Sequence, residues 1–339
     1  MTDELSSRRL FLKGIGAAAA TVGALSLARG FSRFDLLPAP GSGVSSLLYP
    51  PADLSYFDTP ITPAPPDIRF GYAAITWAGD NIQAIKDISD LGFPGIQLRA
   101  DILKDYGSKP QALRDLLASH NLEFVALSSA GINMTPGKEH DEILAHESAG
   151  RFLAAAGGRY LQVTDSGRSG GRTSSADDYN RLGNILTEIG QRVTDLGVRL
   201  GYHNHMGTLG QSPEEVDRIM EAADTKYVKL ELDIAHYFQG GGDPVAAIKS
   251  YQDRLLFLHL KDVQHNSSPS GFEFVELGRG LVDVPSVLAE LHNIRFRGWA
   301  VVELDSVPQD ERKAGQKAKD CAVTNKAYIE DRIGAKVQS

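Results

Sequence analysis

Four apolar runs in the second half of this chain each end in a side chain able to bind a metal. They read Leu200-Gly201-Tyr202-His203-Asn204-His205, Val228-Lys229-Leu230-Glu231-Leu232-Asp233 followed by His236, Leu255-Leu256-Phe257-Leu258-His259, and Trp299-Ala300-Val301-Val302-Glu303. Taken together, His203, Asp233, His259 and Glu303 are two imidazoles and two carboxylates. Such a mixed nitrogen and oxygen donor set suits Mn²⁺, Co²⁺, Zn²⁺ or Fe²⁺ better than an all-oxygen Ca²⁺ site. A lone histidine at a strand end is often only a hydrogen-bonded loop residue, and a lone aspartate often a helix cap. Four in register at successive strand ends are harder to obtain by chance. His205 and His236 follow two and three residues after the first two ligands. They are placed to supplement those ligands or to face a substrate.

Side chains so far apart in sequence can converge only if the intervening elements bring the strand ends together. Apolar runs at 68 to 75, 95 to 98, 123 to 127, 159 to 164, 198 to 203, 228 to 233, 255 to 260 and 299 to 304 read as strands. Between them helical periodicity spans 82 to 91, 110 to 120, 140 to 156, 176 to 196, 213 to 223, 244 to 250 and 284 to 291. Eight strands alternating with helices predict an α/β fold of the (β/α)₈ TIM barrel type, which gathers ligands from several strands at its C-terminal face. An open doubly wound sheet is the alternative, but it calls for a glycine-rich phosphate loop after the first strand. Here Thr76-Trp77-Ala78-Gly79-Asp80 stands in that place.

Residues 68 to 335 are thus expected to form one catalytic domain, since such barrels run to about 250 residues. Ahead of it, residues 29 to 67 carry eight of the sixteen prolines and read as an extended tether. Residues 1 to 28 contain Ser7-Arg8-Arg9-Leu10-Phe11-Leu12-Lys13 and then a weakly apolar Gly/Ala stretch, a pattern that resembles a bacterial twin-arginine export signal. That predicts a periplasmic or otherwise extracytoplasmic location, with no stable membrane span after export because the stretch is short and glycine-rich. The formal charge of −8, without a basic block, argues against nucleic acid as a partner. Cys321 is the single cysteine, which excludes an internal disulfide and a thiolate metal site and suggests packing in a C-terminal helix. A homo-oligomer is compatible with the sequence.

From Ile68 onward the chain resembles the xylose-isomerase-like superfamily of sugar isomerases and epimerases, and within it most the inosose (2-keto-myo-inositol) dehydratases. The resemblance rests on Tyr202-His203-Asn204-His205-Met206-Gly207-Thr208, Asp233-Ile234-Ala235-His236, His259-Leu260-Lys261-Asp262, Gly278-Arg279-Gly280 with Val282-Asp283, Gly298 to Glu303, and Thr76-Trp77 with Asp80. It covers about four-fifths of the chain, and its motifs are specific jointly rather than singly. The resemblance implies a ligand set of Glu, Asp, His and Glu on strands five to eight; His203 stands where the first Glu would be, as in the dehydratase branch. It also implies that epimerases move a proton between two metal-bound glutamates on opposite faces of the sugar, of which this chain keeps only Glu303.

Three functions follow. The first is an isomerase or epimerase acting on a keto-sugar or keto-polyol, with Glu303 as base and an enediolate held by a divalent cation. The second begins alike but ends in β-elimination, with His236, His205 or Lys261 as acid. The third, a non-catalytic carbohydrate-binding protein, requires a decayed ligand set that the sequence does not display. Lys261 has a second reading as an ion-pair partner of Asp262. Trp77 and Phe238 could stack on a sugar, Gln97 and Asp165 could bind hydroxyls, and Arg99 reads as a solvated loop residue with a possible anion role. Loops 166 to 175 and 264 to 276 are long enough to act as lids.

Overall fold

The structure is a computed structural model that describes residues 66–167, 174–267, 271–305, 307 and 317–337. The export segment, nearly all of the tether and part of each loop proposed as a lid lie outside the described residues. Ala64–Ser339 forms one compact unit.

Eight parallel strands close into a barrel: β1 (Asp67–Ala73), β2 (Gly95–Arg99), β3 (Glu123–Ile132), β4 (Tyr160–Asp165), β5 (Arg199–His203), β6 (Val228–Asp233), β7 (Leu255–Leu260) and β10 (Arg297–Val302). Closure comes from β1, which pairs with β10 from Asp67↔Arg297 to Tyr72↔Val302 and with β2 on its other edge. The Thr76 hydroxyl donates to the Leu304 carbonyl at 2.6 Å and fastens the same seam above the strands. The helices α1 (Asn81–Asp90), α2 (Pro110–Ser119), α3 (Glu139–Ala155), α4 (Ala176–Thr194), α5 (Pro213–Ala222), α6 (Ile234–Gln239), α7 (Pro244–Ser250) and α8 (Val284–Asn293) wrap the outside, and α9 (Ala318–Ala327) follows the last strand. Between β7 and α8 the chain forms an antiparallel hairpin, β8 (Asp262–His265) with β9 (Phe272–Val275), in the span predicted as a long loop.

Starts and stops follow local chemistry. Helix α5 opens with a reciprocal Ser212/Glu215 capping box and Pro213 in its first turn, and α4 with a Ser175/Asp178 box. The side chains of Asp80, Asp243 and Asp283 accept backbone N–H groups at the first turns of α1, α7 and α8.

Strand periodicity of two divides each β-strand between two cores. Leu230 and Leu232 of β6, Leu258 and Leu260 of β7, and Ala300 and Val302 of β10 pack outward against helices. The barrel interior is a separate cluster that includes Tyr160, Phe257, Trp299 and Val301, with Tyr160 and Phe257 stacked at 5.2 Å. Gly95 belongs to this layer because a Cβ there would meet Trp299 Cζ3 at 2.4 Å. These aromatics fill the barrel. Continuing the same inward alternation, Phe257 leads to His259, and Trp299 through Val301 leads to Glu303. Glu231 and Asp233 also lie two apart, as do Gly201 and His203. Polar side chains are therefore stacked above an apolar plug, at the C-terminal ends of the strands.

Candidate metal centre

His259 is the hub of the site. Its side chain is fully buried, and Nδ1 lies 3.2 Å from Glu231 Oε1, 3.4 Å from Glu303 Oε1 and 3.6 Å from Asp233 Oδ2. On the other side of the ring, Nε2 lies 2.9 Å from Gln97 Oε1, and Gln97 Nε2 donates to Gln162 Oε1 at 2.7 Å. The amide thereby takes the Nε2 proton and leaves Nδ1 facing the carboxylates, ready to ligate a cation once it gives up its proton. Metal-binding histidines are usually held in this way through their second nitrogen.

Two groups of ligand-type atoms share this residue, each with its atoms within 4.8 Å of one another: Asp233 with His259 and Glu303, and His203 with Glu231 and His259. The four predicted ligands are thus brought close without forming a single group, because His203 Nδ1 faces Glu231 Oε2 at 2.6 Å. A third group joins His203 to His205 and His236, whose rings are 3.8 Å apart.

Lys261 is also fully buried. Its ammonium reaches Asp305 Oδ1 at 2.6 Å, Glu303 Oε1 at 2.9 Å and Asp233 Oδ2 at 3.5 Å, with His236 Nε2 at 3.4 Å. Phe274 of the hairpin covers it at 4.2 Å and also meets the His236 ring edge-on. The predicted Lys261–Asp262 pair is absent. Instead the Asp262 carboxylate accepts backbone N–H groups from Val263, Gly278, Gly280 and Val282, which explains the Gly-Arg-Gly stretch as a loop wrapped around a carboxylate.

Electrostatics follow from this packing. Burial by itself would raise Asp233 and Glu303, but Lys261 and the surrounding imidazoles outweigh it and hold both well below the usual carboxylate range. Burial would lower His259, yet Glu231 and Glu303 hold it well above its ordinary value. Burial lowers His205 and His236, which favours their neutral, ligating form. Asp305 is pushed up by burial against the pull of Lys261. The centre of the cluster attracts positive charge.

The donor set also fits a cation on a second count. His203 Nδ1, both Glu231 oxygens, Asp233 Oδ2 and His259 Nδ1 are buried and have no hydrogen-bond partner of acceptable geometry. Leaving one such group unsatisfied costs about 1–3 kcal/mol, more when it is charged, and here five converge. Asp233 Oδ1, by contrast, accepts the backbone N–H groups of Ala235 and His236, so only Oδ2 is turned to the cluster.

A cavity of about 580 Å³ opens over the cluster, and its lining includes His203, His205, Glu303 and Asp305. Gln97, Asp101, Ser128, Ser129, Gln162 and Thr164 line the remainder, with Arg99. Two predicted substrate contacts point elsewhere. The Trp77 indole donates to Asp87 Oδ2 at 3.0 Å and packs edge-on against Tyr72, inside the helix layer. Asp165 is spent on structure: it accepts from Gly167 N, Leu209 N and the Tyr202 hydroxyl, tying the ends of β4 and β5 together. Phe238 packs against the outer core. Glu231 and Asp305, which the strand-tip reading passed over, belong to the site; each lies two residues from a predicted ligand, so strand alternation is the signal that marks them.

The profile of xylose isomerase-like TIM barrels matches residues 85–322. The chain belongs to that family. Among curated relatives, an inosose dehydratase of Clostridium botulinum (strain Alaska E43 / Type E3) is 27% identical over 277 residues, covering 71% of this chain and 91% of the relative. The rhizopine catabolism protein MocC of Rhizobium meliloti is 28% identical over 273 residues, covering 71% and 82%. Among solved structures, the IolI protein with a bound zinc atom superposes with a TM-score of 0.67 at 19% identity, over 78% of this chain and 98% of its own. An L-ribulose 3-epimerase gives 0.64 at 17% identity, over 79% and 95%. The sugar isomerase/epimerase-like barrel expected from the sequence is thereby established, as a member of a family of enzymes. Among the described residues no helix is long and apolar enough to cross a membrane.

Proposed function

We propose that the protein is a divalent-metal-dependent carbon–oxygen lyase that removes water from a keto-polyol of the inosose class. The observation that carries this reading is the Lys261 ammonium bridging Glu303 and Asp305, two carboxylates on the same side of the cavity. The inosose dehydratases among its relatives support the same choice.

Asp233, His259 and Glu303 would hold the cation. When bound, it polarises the substrate carbonyl and lowers the cost of removing a neighbouring C–H proton. Glu303, held ionised, takes that proton, and the C–H electron pair becomes a C=C bond as the adjacent C–O bond breaks. Asp305 delivers a proton to the departing hydroxyl, which leaves as water. The Lys261 ammonium gives one of its protons to Asp305 and takes the one held by Glu303, which restores all three groups. His205 stands at the cavity edge to orient a hydroxyl, and His236 accepts from Lys261 behind it. Elsewhere in the cavity lining, Asp101 Oδ1 and Thr164 Oγ1 are buried without partners and suit the remaining hydroxyls of a polyol. Since Glu303 and Asp305 hang from one strand end, base and acid act from one side, which favours syn elimination. Epimerisation needs proton-transfer groups on opposite faces of one carbon.

Incubation of metal-loaded protein with keto-inositols and keto-sugars in D₂O tests the proposal. Loss of one water from a keto-inositol is expected. Deuterium at an α-carbon of an isomerised or epimerised product, without loss of water, would instead establish isomerase or epimerase activity, and neither outcome with any substrate would remove the enzymatic reading. We propose as well that the Arg8-Arg9 segment exports the folded chain; replacing both arginines with lysine should retain it in the cytoplasm, and unchanged export would refute this.

A further inference from the structure

We infer that Gln162 is a substrate-contacting residue, its Nε2 donating a hydrogen bond to one ring oxygen of the polyol, and that Gln97 is the positioning residue that turns the amide that way. This rests on the polyol substrate proposed above and adds to it the residue that reads one of its hydroxyls.

Strand alternation carries Gln162 to the cavity. On β4, Leu161 and Val163 pack outward among the helices while Tyr160 enters the apolar plug, so Gln162 stands inward, one step above the plug. It is 5% exposed and lines the cavity. Gln97 on β2 is placed in the same way, between the outward-packed Ile96 and Leu98, and it borders the same cavity. Burying two primary amides is unfavourable unless their polar atoms find partners. Gln97 is satisfied at both ends, with Oε1 2.9 Å from His259 Nε2 and Nε2 donating to Gln162 Oε1 at 2.7 Å. Gln162 has a partner at one end only: Oε1 accepts from Gln97, and among the described residues its Nε2 donates to nothing.

The polarity of this chain of amides is set from the His259 end. Whether the ring is an imidazolium or ligates a cation through Nδ1, its Nε2 carries a proton, so Gln97 must present oxygen to it. Gln97 then presents its NH₂ group to Gln162, which must answer with oxygen. The remaining amide group of Gln162 is thereby a donor, and only the cavity can satisfy it. Two residues further along the same inward face, Thr164 Oγ1 is buried without a partner. A fixed donor beside a hydroxyl that both donates and accepts suits two oxygens of a polyol ring. Removing the oxygen that meets Gln162 leaves a buried N–H unpaired.

Calorimetric titration of the zinc-loaded protein with inositol, which lacks the carbonyl needed for enolisation, and with its monodeoxy derivatives provides the test. Wild type should bind at least one monodeoxy derivative about 10-fold more weakly than inositol, as expected when a buried donor loses its acceptor. Gln162→Met should bind inositol about 10-fold more weakly and treat that derivative and inositol alike, with zinc affinity unchanged. Gln97→Met should lose the same preference and also bind zinc about 10–100-fold more weakly, because His259 loses the acceptor of its second nitrogen. Gln97→Glu, which keeps that acceptor, should restore zinc binding. A general loss of packing weakens every derivative equally, so a preference retained by Gln162→Met would overturn the contact, and one retained by Gln97→Met the positioning role. The reaction is judged separately. Wild type that removes no water from a keto-inositol, while Gln162→Met loses the preference, ends the lyase reading and keeps the contact; water loss with the preference intact in Gln162→Met does the reverse. A wild type that binds no inositol also removes the contact.

Discussion

His146 ties helix α3 to the wall of the cavity, and its titration yields a stability change of calculable size. The imidazole is 2% exposed, with Nδ1 2.8 Å from the Ser129 hydroxyl and Nε2 facing Glu142 Oε2 at 3.9 Å, too far for a hydrogen bond. Burial pushes it from 6.5 down to about 4. Because the folded value is depressed, the unfolded chain binds the proton first as pH falls. The contribution is fully present above pH 6.5 and is lost progressively as pH drops toward 4. The whole window corresponds to about 3 kcal/mol, and about 2 kcal/mol of it is gone at pH 5. Against a typical stability of about 5–15 kcal/mol this is a large fraction. His205 and His236 are also lowered by burial and Asp233 and Glu303 titrate at the acid end, so the total pH profile does not isolate one residue. The difference between wild type and His146→Gln does. Urea unfolding of both at pH 7.5 and pH 5 should show their stability gap shrinking by about 2 kcal/mol at the lower pH. A gap constant to within about 0.5 kcal/mol would mean that His146 protonates in the folded state as readily as in the unfolded chain, and would refute the reasoning.

Other perturbations probe the remaining parts of the structure. Lys261→Met leaves Glu303, Asp305 and Asp233 facing one another, and should cost the metal-free protein about 3–5 kcal/mol, as for other buried ion pairs that lose one member. Excess divalent cation should recover part of that loss by mass action, read as an upward shift in Tm; a cost below about 1 kcal/mol would mean the ammonium is solvated. Gly95→Ala drives a methyl into Trp299 and Val125, and should cost about 1–3 kcal/mol with a change in tryptophan fluorescence; an unchanged Tm would show that the barrel plug has slack. Asp165→Ala strands two backbone donors and the Tyr202 hydroxyl, and should lower stability by about 3 kcal/mol. Its KM should stay near that of wild type, and a large rise in KM with unchanged Tm would restore Asp165 as a substrate contact.

What the sequence made legible is what repeats along one strand or helix. The runs at 228 to 233 and 255 to 260 match β6 and β7 residue for residue, and the helical spans fall within one or two residues of those found. His259 and Glu303 were readable because alternation along an inward strand face carries a polar tip to the barrel axis. The same rule marks Glu231, two residues before Asp233, and Asp305, two after Glu303; attention to tips alone misses both. Side-chain destinations set by distant partners were not readable. Trp77 turns to Asp87 on the next helix, and Asp165 is claimed by Tyr202 and Leu209 from another strand and its loop. Ser129 and His146 meet across a strand and a helix. The hairpin β8–β9 escaped notice because Gln264 to Glu276 lacks a clear apolar alternation, although Phe274 in it covers the buried ammonium.

Elimination and epimerisation part at the second proton transfer, and the arrangement around Lys261 bears on that step. An epimerase must reprotonate the same carbon from the opposite face, so its two acid–base groups have to project from opposite walls. In this barrel the carboxylates linked by a single ammonium, Glu303 and Asp305, follow one strand, and the other strand ends that line the cavity bring Ser128, Ser129, Thr164, Gln162, Asp101 and the imidazoles of His203 and His205, none of them joined to Glu303 by that ammonium. A proton taken by Glu303 is 2.9 Å from Lys261, and Lys261 is 2.6 Å from Asp305, so the short route for that proton remains on the side from which it came. Returned to the original carbon, it regenerates substrate. Delivered to a hydroxyl on the neighbouring carbon of the same face, it releases water. Asp305→Asn breaks the second half of that route and leaves Glu303 in place. It should therefore suppress water loss far more than α-proton exchange into D₂O, and an equal fall in both would show that Glu303 works without the relay.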